Sequence, residues 1–118
     1  MIEFRPATAE LVEAFYGKPS PLTLRAYVCL VDGVPAGVVG IANEGGHKVA
    51  FSDIDPAYRG HRDQRRAIVK GIRLMRAMLE ATPVPVYVQP NPDEPTAPAL
   101  LARLGFVPTG HDNTLVRP

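Results

Sequence analysis

The alternation of apolar and polar residues predicts most of the chain's elements. Ile2-Glu3-Phe4-Arg5 alternates with period two, as a half-buried strand does. Thr8 is placed to cap a short helix that carries Glu10 in its first turn and Leu11, Ala14 and Phe15 as its apolar stripe. Gly17 stops that helix, and Lys18-Pro19-Ser20-Pro21 reads as loop. Leu24 to Val31 is rich in branched and aromatic residues and predicts a strand. Asp32-Gly33 is a strong two-residue hairpin signal, and Val34 to Ala42 is the returning strand. Asn43-Glu44-Gly45-Gly46 makes a second turn into a third strand, His47 to Ile54, which Pro56 ends. These three strands predict an antiparallel meander.

The clearest helix runs from about Arg62 to Ala81. At 100° per residue, Ile68, Gly71, Ile72, Met75, Met78 and Leu79 share one face, opposite a row of cations. Pro83 stops it. Val84 to Val88 reads as a short strand, with Pro85 pointing to an edge or a splayed position. Asn91 to Pro98 is a proline-stiffened loop leading to a short helix, Ala99 to Leu104. Gly105 closes that helix, and a last strand lies around Thr114 to Val116. No repeat or linker is visible. The reading is one α+β domain over residues 1–118, with a central mixed, mostly antiparallel sheet flanked by helices.

Composition narrows the class. At 118 residues and 46% hydrophobic, the chain can bury a core without a metal or disulfide, and its net charge of +1 excludes global disorder. A single cysteine, Cys29, excludes a disulfide framework and a Cys-rich zinc site, and no metal-ligand spacing appears. No apolar run reaches the roughly 18 residues of a membrane helix, and the N-terminus lacks a basic-then-apolar signal, so the cytoplasm is the expected location.

The near-neutral total hides a segregation. Between Arg59 and Arg76 stand seven basic residues and one aspartate, a net of +6, while the remainder carries −5. The junction from Ile54 to Arg62 joins a strand to a long helix through a tight turn, and such a turn offers peptide N–H groups and the positive helix end to an anion. A nucleic acid would meet the same cations, but there is no aromatic interleaving for base stacking, and that partner ranks last.

Four stretches in order resemble the GNAT superfamily of N-acetyltransferases. Ile2-Glu3-Phe4-Arg5-Pro6-Ala7-Thr8 looks like the first strand entering the first helix, and Val31 to Val38 like the second hairpin. Ile54-Asp55-Pro56-Ala57-Tyr58-Arg59-Gly60 looks like the approach to the acyl-CoA pyrophosphate loop. Leu100 to Gly110 looks like the last helix and its Gly-Phe turn.

The resemblance implies acetyl transfer from acetyl-CoA to an amine of a small molecule or peptide, without an acyl-enzyme. It implies that Ser52 and Ile54 offer backbone contacts to pantetheine, that Arg59, Gly60, His61 and Arg62 hold the diphosphate, and that Asn91 bonds pantetheine or simply turns the chain. His47 and Asp53 are the candidate bases, each with a plainer reading, as a turn residue and as a structural hydrogen-bond acceptor. The sequence departs from the family at three points: Arg62 and Gln64 replace the small residues of the loop, Leu101 replaces a tyrosine acid, and His47 replaces the usual glutamate. A chain of this fold without catalysis, serving as a binding or structural part of a larger assembly such as a virus particle, is the alternative. A homodimer is left open.

Overall fold

The computed structural model describes residues 1–20, 23–92, 94 and 96–118. Pro21, in the loop read at 18–21, and Asp93 and Pro95, in the proline-rich loop, lie outside the described residues. Strand β1 (Ile2–Pro6) leads to helix α1 (Ala9–Tyr16), and strands β2 (Thr23–Val31), β3 (Val34–Glu44) and β4 (His47–Ile54) follow. After a single 3₁₀ turn, Pro56–Tyr58, come helix α2 (Gln64–Glu80), β5 (Val86–Val88), α3 (Ala97–Arg103), β6 (Val107–Pro108) and β7 (Leu115–Arg117). The strands form one sheet in the order β1-β2-β3-β4-β5-β7-β6, antiparallel except where β4 meets β5.

Local chemistry sets these boundaries. Thr8 Oγ1 accepts the Leu11 N–H at 3.2 Å, and Gly17 closes α1 at φ 77°. Asp32 and Gly33 adopt φ 50° and 82°, and Gly45 and Gly46 adopt φ 57° and 83°. Positive φ at both central residues matches the right-handed twist of the flanking strands, so each hairpin closes in two residues.

Some expectations shift. Val12, not Ala14, is buried on α1 beside Leu11 and Phe15. β3 runs on to Glu44. α2 begins at Gln64 because residues 61–63 are drawn into the preceding turn, where the Gln64 N–H donates to the His61 carbonyl at 2.9 Å. β5 begins only at Val86, since Pro83 and Pro85 lack the N–H groups that a ladder needs. α3 begins at Ala97, with Pro98 in its first turn where a missing N–H costs nothing. β6 is a two-residue strand with no periodic signature, and β7 is Leu115–Arg117.

Buried residues cluster on both faces of the sheet, and Cys29, Val31 and Ala36 form a further cluster with Phe4 and Ala67. Val39, Ile41, Ala50, Val86 and Val88 pack with Met75, Met78 and Leu79 of α2 and with Leu104 and Phe106. On the other face, Ala26, Val28, Leu30 and Val38 pack against Leu11 and Phe15 of α1. Successive strand residues point to opposite faces, so Val38 meets α1 while Val39 meets α2. Ile68 shares the core-facing stripe of α2 but stays 42% exposed, although Ala67 beside it packs against the buried Cys29, Val31 and Ala36.

Candidate active site

β4 and β5 register only at Lys48 with Val86 and Val49 with Tyr87. β4 then runs five residues further, Ala50 to Ile54, paired with β3 alone. β5 is drawn the other way: the Gln89 side chain donates to Thr114 Oγ1 at 3.3 Å, and the Asn113 side chain donates to the Pro90 carbonyl at 3.0 Å. The two parallel strands therefore part into a wedge.

The hydrogen-bond phase of β4 decides what lines that wedge. The Asp55 N–H donates to the Ala36 carbonyl at 2.9 Å. In an antiparallel pair the bonded positions alternate, so Asp53 and Phe51 exchange bonds with β3 while Ser52 and Ile54 turn their peptide groups away from it. Ser52 and Ile54 thus present backbone donors on the side from which β5 has departed.

Asp53 points its side chain to the α1 face. Its Oδ2 accepts the Tyr16 hydroxyl at 2.5 Å, across 37 residues of sequence. Burial, the hydrogen bond to Asp53 and its negative charge together push the Tyr16 phenol well above the usual tyrosine range. His47 is elsewhere. It opens β4 opposite Glu44 and sets its ring edge-on to Tyr87, with centroids 5.5 Å apart. At the usual rise per strand residue it lies about 20 Å from Asp53, at the closed end of the wedge, so the two candidate bases cannot act on one reacting atom.

Past β4, the Asp55 side chain accepts the Ala57 N–H at 3.0 Å and sets the 3₁₀ turn. The loop amides that follow are largely spoken for. Arg59 N–H reaches the Pro56 carbonyl at 3.2 Å, and His61 N–H reaches the Tyr58 carbonyl at 3.2 Å. Gly60, at φ 79°, gives its N–H to Gln64 Oε1 at 2.7 Å. The Asp63 N–H goes to His61 Nδ1 at 3.1 Å. Arg59 pairs with Glu94 at 3.0 Å, and the Arg62 side chain is exposed.

Ser52 and Ile54 therefore line the wedge, Arg59 to Arg62 form the loop beyond it, and Asn91 follows β5 across the gap. Leu101 is half-buried against the α2-side core. Sequence reasoning missed Tyr16, which no local pattern links to Asp53. It also missed the reach of Gln64 back to Gly60, for which a glutamine at a helix start is the available signal. Among the described residues no cluster of His, Cys, Asp and Glu could hold a metal ion. Among the described residues, no helix is long and apolar enough to cross a membrane.

No family model and no curated protein sequence matches the chain. Solved structures do. A ribosomal-protein alanine N-acetyltransferase from Escherichia coli superposes with a TM-score of 0.58 at 14% identity, over 98% of this chain and 91% of that one. An acetyltransferase of the GNAT family from Staphylococcus aureus gives 0.56 at 11% identity, over 99% and 98%. A spermidine/spermine N-acetyltransferase from Vibrio cholerae gives 0.53 at 16% identity, over 99% and 92%. The seven-stranded mixed sheet with its parted parallel pair is the fold of the GNAT N-acetyltransferases.

Proposed function

We propose that the chain is an N-acyltransferase that moves an acetyl group from acetyl-CoA to an amine. The observation that carries this reading is the wedge between β4 and β5, into which the peptide groups of Ser52 and Ile54 face. A fixed peptide N–H aimed at a carbonyl oxygen stabilises the negative charge that develops there when an amine attacks, and it needs no reorganisation to do so. Acetyl-CoA supplies the activated acyl carbon.

The chain's own residues divide the remaining tasks. The amine approaches from the α1 face, where Asp53 accepts its proton directly or through a water, held in place by Tyr16. Leu101 carries no proton to give to the leaving sulfur, so solvent supplies it. The Arg59 and Arg62 side chains take the diphosphate, because most of the loop amides are bonded within the chain. Gln64 must first release the Gly60 N–H for that amide to join them. Asn91 borders the far side of the wedge. His47 has no part in the step. The neighbours named above act on a ribosomal-protein alanine and on spermidine or spermine, which supports an amine of a small molecule or a protein as acceptor.

A second reading rests on the same loop. With Gln64 seated on Gly60, the chain keeps the fold without gripping the diphosphate and serves as a binding component. Titration calorimetry with acetyl-CoA and CoA, followed by mass spectrometry of a panel of polyamines and peptides, separates the two. Saturable heat and an acetylated product are expected. No heat at millimolar acetyl-CoA would leave only the second reading.

A further inference from the structure

We propose that the outer face of α2 is a docking surface for the phosphodiester backbone of a nucleic acid. Arg65, Arg66, Lys70, Arg73 and Arg76 are all exposed. At 100° per residue they fall within one broad stripe, away from the face that packs through Gly71, Met75 and Leu79. From Arg65 to Arg76 the stripe is about 16 Å long at the rise of an α-helix, too extended for a single phosphate to fill. Among the described residues, one carboxylate forms an ion pair with these five: Asp63 stands 3.9 Å from Arg66, whose side chain is 83% exposed. Lys70, exposed at the edge of the stripe, leans its ammonium over the Phe4 ring at 5.7 Å.

The chain's near-neutral total argues against a polyanion only if the charges are evenly mixed on the surface; here several acids lie across the sheet from the stripe, and Glu80, exposed on the last turn of α2, is the one acid within it. Glu10 and Glu13 ride on α1, and Asp53 points to the same face, with the sheet between them and α2. Helices on opposite sides of a sheet expose outer faces that lie more than a Debye length apart, about 8 Å at physiological ionic strength. A partner approaching α2 therefore meets five cations against two acids, Asp63 and Glu80, one near each end of the stripe. The preference for arginine fits phosphodiesters, because a guanidinium forks onto two phosphate oxygens where an ammonium offers a point charge. The stripe lies beyond the loop of the proposed acyl-CoA site and does not depend on it.

Fluorescence anisotropy tests this with a labelled RNA duplex, DNA duplex and single strand, each at rising salt, and vesicles rich in phosphatidylserine as a separate arm. The expected result is binding to at least one nucleic acid that weakens steeply with salt, with a log–log slope of roughly −3 to −5 for about five phosphate contacts. The double variant R66Q/R73Q, checked for an unchanged thermal melt, is expected to bind at least tenfold more weakly and to lose about two from that slope. The nucleic acid bound most tightly identifies the source of the phosphates. Binding to vesicles alone, no binding at low salt, or unchanged affinity in the double variant overturns the proposal. All readouts are independent of acetyl transfer.

Discussion

The side-chain oxygen of Gln64 accepts the Gly60 N–H at 2.7 Å, so the chain fills with its own side chain the position from which that amide would meet a phosphate. A hydrogen bond of this kind contributes about 0.5–1.5 kcal/mol net, and a ligand that needs the same donor must compete with it. Gln64→Ala should therefore bind acetyl-CoA up to roughly tenfold more tightly than the parent. Calorimetry on both proteins measures it, and equal or weaker binding in the variant would show that the contact offers no competition.

Tyr16 should ionise late. Its raised pKa comes first from burial, then from the hydrogen bond to Asp53 and the charge of that carboxylate. Spectrophotometric titration of the phenols should show one component above the ordinary tyrosine range, which Tyr16→Phe removes and Asp53→Asn brings down. The sign for stability follows. Tyr16's contribution is intact below its unfolded pKa near 10 and declines as pH rises beyond it. A late component that survives in Tyr16→Phe would contradict the assignment.

Gly40 has no room for a methyl group. A Cβ there would stand 2.5 Å from Ala26 Cβ and 2.6 Å from the Arg25 carbonyl oxygen. Since Gly40 is registered against Ala26 in the β2–β3 ladder, relief requires the strands to part. Gly40→Ala should cost about 2–3 kcal/mol, read as a lower denaturant midpoint at unchanged slope. A loss within experimental error would mean that the ladder yields easily.

Arg117 ties three elements together. From β7, its Nε donates to the Leu104 carbonyl and one Nη to the Leu79 carbonyl, both at 3.1 Å, which satisfies acceptors at the C-terminal ends of α3 and α2. Arg117→Ala should destabilise by about 1–3 kcal/mol. Arg117→Lys should recover less than half, because a single ammonium cannot span both carbonyls as the fork does. Full recovery by lysine would show that charge alone matters.

What the sequence disclosed was what neighbouring residues decide. Asp32-Gly33 and Gly45-Gly46 announce their hairpins because positive φ is a local demand, and Thr8 and Gly17 bracket α1 for the same reason. Ile68 shows that periodicity reports a helix face and not the burial of each position on it. The wedge edge at Ser52 and Ile54 was legible through family resemblance alone, since the turning of β5 depends on Thr114 and Asn113 far along the chain. Asp53 was singled out without its partner, because 37 residues separate it from Tyr16. Gly60 is legible as a loop amide, but that Gln64 occupies it depends on a side-chain rotamer that no sequence pattern specifies.

The sheet's two portions share a seam of only two registered residue pairs, and the chain reaches it through the whole excursion of α2. Strands β1 to β4 have longer ladders, and β2, β3 and β4 are linked by two-residue turns, so they can assemble early from near neighbours. The seam brings together residues nearly forty positions apart and closes late, because the entropy of the intervening loop is spent before any contact repays it. The wedge on which the proposed chemistry depends would then be the last feature of the molecule to take shape during folding. Pulsed hydrogen exchange should find the amides of Val86 to Val88 protected after those of Val38 to Ile41.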